Sequence, residues 1–259
     1  MNPIEKFENE KAQRLASFGA DQAFKALSRN WLETSMRKMY VYNFSWMGRP
    51  IIQYPQDMVA IQELVWAIKP DLIIETGIAH GGSLMLSASM LALLDMCEAI
   101  DAGCTVDPKI SKRKVIGIDI DIREHNRKQI EAHPMSSRIQ MIGGSSIAAE
   151  TIAQVKQAAL GYQKVLVCLD SMHTDDHVFA ELSAYARLTS VGSYCVVYDT
   201  FVEDMPPHFF ADRPWDVGNN PKTAVHRWLK ENPEFEVDES LENKLMVTVA
   251  PEGFLRRIR

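Results

Sequence analysis

The sequence predicts an α/β protein built on a mostly parallel sheet, and three observations carry that expectation. Between residues 72 and 199, hydrophobic runs of strand length alternate with segments of helix length. The first run leads into a glycine-rich turn, and four of the runs end on or beside an acidic residue. After residue 199 the alternation stops, and two strand-like runs follow near the C-terminus with little between them. Strands separated by ten or more helical residues return to a sheet in parallel, whereas closely spaced runs pair antiparallel.

Taken in order, residues 1–45 read as helical, with Leu15, Phe18, Phe24, Leu27 and Leu32 at mixed three- and four-residue steps broken at Gly19. The stretch 40–57 carries Tyr40, Tyr42, Phe44, Trp46, Tyr54 and Pro55 and reads as an aromatic-rich loop laid on the domain or over a pocket. Asp57 is placed to cap a helix over 58–69 that Pro70 closes. Residues 1–56 are thus an N-terminal helical extension and aromatic loop, and residues 57–259 the catalytic domain. Within that domain the strands are LIIE (72–75), VIGIDI (115–120), IQMIG (139–143), VLVCLD (165–170) and YCVVYD (194–199), each followed by a helical segment or loop. Residues 201–222 hold four prolines and no usable period, so they form a long loop, with Trp215 available to stack on a flat apolar surface. A short helix over 223–232 precedes the terminal strands FEVD (235–238) and KLMVTVAPEGFLRR (244–257).

The composition narrows the function. In 259 residues, 46% are hydrophobic and 24% charged, enough for one large packed domain. A net charge of -6 argues against a nucleic-acid partner. No stretch approaches eighteen uncharged apolar residues, so no transmembrane segment is expected, and the acidic N-terminus is unlike a signal peptide. Cys97, Cys104, Cys168 and Cys195 lack zinc-ligand spacing and suit a reducing compartment, and a cytoplasmic location follows.

Two constellations carry chemistry. The turn from Glu75 to Ser83 contains Gly77, His80, Gly81 and Gly82 between a strand and a helix, where backbone N–H groups can approach a ligand. It lacks the lysine of a triphosphate loop and the spacing of a dinucleotide fingerprint. Glu75 at the strand end suits an ammonium better than a pyrophosphate. Asp119 can accept from a ribose diol, and Gly143, Gly144 and Ser145 can border an adenine. S-adenosylmethionine satisfies all of these. The alternative is tight helix packing at the glycines and capping by Asp119 or Asp121. At the second constellation, Asp170 and Asp199 end neighbouring strands and suit an octahedral hard cation such as Mg2+, with Thr200 or Tyr198 offering a neighbouring oxygen. His173 follows Asp170 by three residues and can act as general base or bind the substrate. Asp175 and Asp176 read as helix-start acids, and His177 as a packed or solvated residue.

The stretches PDLIIETGIAHGGS, VIGIDIDIR, VLVCLDSMHTDDHV, VVYDTFVED, NNPKTAVHRWL and KLMVTVAPEGFLRR resemble the cephalosporin hydroxylase/rhamnosyl O-methyltransferase family, from about Trp46 to the C-terminus. The resemblance implies a Rossmann-like S-adenosylmethionine-dependent methyltransferase fold: a mostly parallel seven-strand sheet with an antiparallel C-terminal strand. It implies Glu75, Gly77 and Asp119 at the cofactor, Asp170 and Asp199 at magnesium, and oligomers formed through the N-terminal segment. His80, Gly81, Ser83, Ser145 and Asp170 complete the expected cofactor set. Tyr198 stands where the cephalosporin member has an acid. A wider similarity to catechol-type O-methyltransferases places His173 at the position of their base.

The function expected is transfer of a methyl group to a hydroxyl of a sugar or glycosylated metabolite, in polysaccharide or natural-product biosynthesis. Two alternatives stand beside it: an oxidative enzyme of natural-product biosynthesis, for which no iron facial triad is visible, and a non-catalytic S-adenosylmethionine-binding partner protein.

Overall fold

A computed structural model describes all 259 residues of the chain. Two helices, α1 (Pro3–Ala20) and α2 (Gln22–Arg37), open it, and Asp21 separates them by capping the second. A short hairpin follows, β1 (Phe44–Trp46) and β2 (Arg49–Ile51), in the stretch that the sequence marks as loop. Strands this short leave no readable alternation. Then come α3 (Pro55–Ile68), β3 (Leu72–Thr76), α4 (Gly82–Ala102), β4 (Lys114–Asp119), α5 (Glu124–Glu131), β5 (Ile139–Gly143) and α6 (Ala149–Ala158). The second half is β6 (Val165–Leu169), α7 (Asp175–Tyr185), β7 (Tyr194–Val197), α8 (Pro221–Leu229), β8 (Phe235–Val237), α9 (Glu239–Leu245) and β9 (Phe254–Arg257).

The main sheet has seven strands in the order β5-β4-β3-β6-β7-β9-β8, with β9 running against both neighbours. This is the Rossmann-like methyltransferase sheet expected. Each residue of β3 and β6 is buried, as a continuous apolar run at the sheet centre requires. Side chains alternate between two cores. Ile73, Leu166 and Cys168 pack with α3 and α4 on one face, while Leu72, Ile74, Val165 and Val167 pack with α7 and α8 on the other. The chain leaves β3 toward β4 and β5, then returns to β6 on the other side of β3. The crevice of such a sheet opens at this reversal, beyond the strand ends.

Two local expectations are corrected. Of the run 244–257 expected as strand, only Phe254–Arg257 is strand; Lys244 and Leu245 end helix α9, which the Asp238 carboxylate begins by accepting from Ser240 N (3.0 Å). The Glu-Ser-Leu-Glu-Asn-Lys run behind an acidic cap outweighs the β-branched residues that follow it. Asp57 also does not cap α3, which starts with Pro55 behind Tyr54. Asp57 is fully buried, and accepts from Thr248 Oγ1 (2.5 Å) and Val249 N (3.0 Å), tying α3 to the segment before β9.

The segment 40–54 belongs to the core, since Val41, Ile51 and Tyr54 are buried in the same cluster as α3 and α4. By contrast α1 buries no residue. Helix α4 is long and apolar enough to cross a membrane by length and composition, but half of it is buried against the sheet. Its Asp95 pairs with Arg113 and Arg138.

Burial raises the Asp57 carboxyl to about 7, against the lowering pull of its two hydrogen bonds. The folded state then holds this proton more tightly than the unfolded chain. Asp57 therefore favours folding fully below the ordinary carboxylate pKa, and that contribution is lost as pH rises through about 7. The thermal midpoint of the ligand-free protein should fall between pH 5 and 8, and that of Asp57→Asn should fall less; calorimetric scans across this range check it. Parallel curves would remove Asp57 as the cause.

Candidate active site

The ends of β3, β6 and β7 lie side by side because the sheet register aligns Thr76 with Leu169 and Leu169 with Val197. Just beyond these ends stand Gly77, Asp170 and, two residues past Val197, Asp199. Asp170 N donates to Thr76 O (3.0 Å) and Tyr198 N to Leu169 O (3.0 Å), so the ladder continues to the rim before the chains diverge. Asp170, His173 and Asp199 then converge, with one ligand atom from each lying within 4.8 Å of the others. His173 Nε2 is 3.0 Å from Asp199 Oδ2, and the Trp215 ring meets the imidazole edge to face at 4.7 Å. Asp199 holds a left-handed backbone, φ +57°, a conformation costly for a non-glycine residue and common at sites whose side-chain direction matters.

Glu75 is buried and Asp170 and Asp199 are partly buried at this rim, and none of the three has a Lys or Arg partner. Asp170 is pushed well above the carboxylate range by burial, then by the charges of Asp199, Glu75, Glu181 and Asp57. Asp199 is raised by burial, with His173 pulling the other way. Glu75, 4% exposed, is raised to about 7 by burial despite the hydrogen bond that it accepts from Ser83 Oγ. Such a cluster is unstable as ions and favours cationic ligands. Two carboxylates and an imidazole are a fitting donor set for a divalent cation.

The glycine turn is fixed by close approach and by borrowed hydrogen bonds. A Cβ on Gly77 would lie 2.0 Å from Asp170 O, and the residue has φ +88°; no other residue lets β3 leave so close to β6. The Asp119 carboxylate accepts from Ile78 N (2.8 Å), Ala79 N (3.3 Å) and Asp121 N (2.9 Å), so it braces the turn as well as facing a small recess. That recess, about 220 Å³, is formed by Ala79, His80, Asp119, Asp121, Arg123 and Asn126. Arg49 donates to His80 O (2.9 and 2.6 Å) and to Asn126 Oδ1 (2.9 Å), and Asn126 donates to Ala79 O (2.9 Å). Gly81 begins α4 with φ +84°, against the Ile130 side chain.

A larger cavity of about 700 Å³ adjoins the recess across Ala79 and His80. Ser83, Asp170, His173 and Asp199 reach it from the sheet. Its remaining walls come from the segments that the sequence leaves least defined: Arg37, Tyr42 and Ile51–Gln53 from the N-terminal part, and Phe209, Phe210, Arg213 and Trp215 from the long loop. That loop is pinned by Asp216 accepting from His208 N (2.9 Å) and by Asn219 Oδ1 accepting from Asp175 N at the start of α7 (3.0 Å).

Of the predicted site residues, Glu75, Gly77, His80, Gly81, Ser83 and Asp119 gather at the turn, and Asp170, His173 and Asp199 at the cavity floor. Ser145 lines neither cavity; its neighbour Ser146 is the buried one, with Oγ 3.0 Å from His177 Nε2. Thr200 is fully buried behind Asp199, and its hydroxyl has no hydrogen-bond partner. Tyr198 points into the core beside Cys168. Arg49 and Asn126 went unread because they act on carbonyls far away in sequence.

Comparisons with known proteins agree with this architecture. The family model described as Rhamnosyl O-methyltransferase/CmcI matches residues 38–258. A rhamnosyl O-methyltransferase of Mycobacterium leprae (strain TN) is 28% identical over 229 residues, covering 85% of this chain and 88% of that protein. One from Mycobacterium bovis (strain BCG / Pasteur 1173P2) is 30% identical over 228 residues, covering 85% and 82%. Among solved structures, CmcI with magnesium and S-adenosylmethionine aligns with TM-score 0.56 at 17% identity, over 84% of this chain and 78% of that one. An apo CmcI aligns with TM-score 0.57 at 20% identity, over 84% and 77%. The glycine turn, the paired strand-end acids and the family match over most of the length lead to one conclusion: the chain belongs to the Rhamnosyl O-methyltransferase/CmcI family and is an S-adenosylmethionine-dependent O-methyltransferase.

Proposed function

We propose that the protein methylates a hydroxyl of a sugar or glycosylated metabolite and that it does so with a divalent cation, Mg2+. The observation that carries the metal reading is the convergence of Asp170, His173 and Asp199 on a cavity whose two carboxylates have no Lys or Arg partner. The sugar reading rests on the mycobacterial relatives, named for rhamnosyl methylation, and on an aromatic, polar-edged cavity of about 700 Å³. The cluster has two carboxylates with a single imidazole beside them rather than the two imidazoles and one carboxylate of an oxidative iron site, which favours transfer over oxidation.

In this reading Glu75 takes the cofactor's ammonium, the turn from Gly77 to Ser83 lies along its methionyl part, and Asp119 faces its ribose. Ser145 borders the adenine from the next strand end. Asp170 and Asp199 hold the cation, and the unpaired Thr200 hydroxyl is the further oxygen that its place in the chain offers. The cation, when bound, lowers the pKa of an acceptor hydroxyl and fixes its direction. His173 takes the hydroxyl proton, with Trp215 holding the ring edge. Methyl transfer requires the nucleophile in line with the leaving sulfur, so orientation by rigid strand ends is the main contribution of the fold. The protein works in the cytoplasm, and the exposed Ile4, Phe7, Leu27 and Trp31 of the helical extension serve self-association.

Three outcomes test these roles. Chelation should stop methyl transfer to a rhamnoside and added Mg2+ should restore it, while Asp199→Asn should lose at least about a hundredfold in turnover with S-adenosylhomocysteine affinity little changed; radiolabel transfer and calorimetry read both. His173→Gln should cut kcat by about 10² to 10⁴ while S-adenosylhomocysteine affinity, read by calorimetry, stays little changed. Because ligand-free Glu75 titrates near 7 and must ionise to meet an ammonium, S-adenosylhomocysteine should bind more tightly as pH rises from 5.5 to 8 and expel a proton at the lower end; titration in buffers of different ionisation enthalpy measures that proton, and Glu75→Gln should abolish it.

A further inference from the structure

Gln53 is the polar side chain of the cavity wall with neither a partner nor an assigned task. It lines the main cavity, is 4% exposed, and its Oε1 is buried without any hydrogen-bond partner. Its neighbours hold it there. Ile51 and Tyr54 are buried on either side, and the Tyr54 hydroxyl pairs with Ser35 Oγ at 2.5 Å. The side chain therefore has no easy route to solvent. An amide oxygen left unpaired in a protein interior is costly, and on a side chain that lines a cavity it marks a bond that a ligand completes once the carboxamide turns to it.

The place along the cavity identifies the ligand. Gln53 lines the same cavity as Asp170, His173 and Asp199, the strand ends where the acceptor hydroxyl is handled in the reading above. The Asp119 recess, at the nucleoside end, does not include Gln53. A carboxamide offers one accepting oxygen and one donating nitrogen. A carboxylate or phosphate would satisfy only the nitrogen, and an aromatic ring neither. A hydroxyl both gives and takes a hydrogen bond and satisfies the amide whichever way it is turned.

Resting on the sugar reading above, the geometry points to Gln53 as a specificity-determining residue whose carboxamide hydrogen-bonds a second hydroxyl of the acceptor, beside the one that is methylated. The enzyme then selects vicinal diols, and a deoxy sugar lacking the neighbour leaves Gln53 unpaired again.

The test compares wild type with Gln53→Leu and Gln53→Met, using methyl α-L-rhamnopyranoside and its 2-deoxy and 3-deoxy forms as acceptors. Both variants should keep or raise the thermal midpoint, since they remove a buried unpaired group, and should bind S-adenosylhomocysteine within about twofold of wild type. Their kcat/KM should drop about tenfold for the full rhamnoside, and stay level for the deoxy form that lacks the partner hydroxyl. Equal losses on every acceptor overturn the assignment. So does a matching loss of S-adenosylhomocysteine affinity, which would give the bond to the cofactor, and so does a lowered midpoint in both variants, which would make Gln53 structural. Failure of the wild type to methylate any of these glycosides would sink the sugar reading itself and this assignment with it, a result seen before any variant is made.

Discussion

Everything at this site depends on like charges forced together. Glu75, Asp170 and Asp199 stand at three neighbouring strand ends, and Asp57 approaches them from α3; burial raises the pKa of each. Without ligands the cheapest arrangement keeps part of the set protonated, because ionised carboxylates in a dry site repel one another and lose hydration. A sulfonium–ammonium ligand and a divalent cation are the partners that let all of them ionise together. A metal ion bound there, as proposed, would be coupled to the cofactor through the protein's own acids, each lowering the cost of admitting the other.

A second constraint is mechanical. Gly77 permits a backbone approach to Asp170 that any Cβ would block, and a Cβ on Gly82 would lie 2.2 Å from Pro50 O. The glycine turn is therefore pressed between β6 below and the N-terminal hairpin above. Arg49 and Asn126 complete the clamp by taking the carbonyls of Ala79 and His80. Glycine stands at 77 and 82 because three separate pieces of backbone meet there, and the turn's N–H groups stay directed by that packing. Asp119 shares in this: two turn amides already rest on one of its oxygens.

What was legible in the sequence follows from how local each signal is. The sheet could be read because a parallel strand buried on both faces is a continuous apolar run, and β3 and β6 are such runs. Asp170, His173 and Asp199 could be read because strand ends in one sheet face one rim. The hairpin at 44–51 and helix α9 could not, as three-residue strands and a seven-residue helix carry too few periods to outweigh their neighbours. Asp57 looked like a cap because an acid before a helix usually is one; its actual partners, Thr248 and Val249, lie about three-quarters of the chain away. Arg49, Asn126 and Gln53 act on distant backbone or on a cavity, and no spacing rule reports that.

The walls of the cavity separate two kinds of work by their origin. In the proposed reading the sheet supplies the groups that would touch the cofactor and hold the ion, and these are set by register, so they can move little without loss of the fold. The N-terminal segment and the 200–220 loop line the rest of the cavity, where the acceptor would sit: Arg37, Tyr42 and Gln53 on one side, Phe209, Arg213 and Trp215 on the other. Arg37 lies over the Phe209 ring at 4.4 Å, so the two sides meet there through an aromatic face rather than through the sheet, and within the loop Arg213 lies over Trp215 at 5.4 Å. Side chains held in this way can be exchanged without disturbing Glu75, Asp170 or Asp199. A chemistry fixed by strand ends, beneath a chamber built from removable parts, lets one fold methylate different hydroxyls by changing only what stands over them.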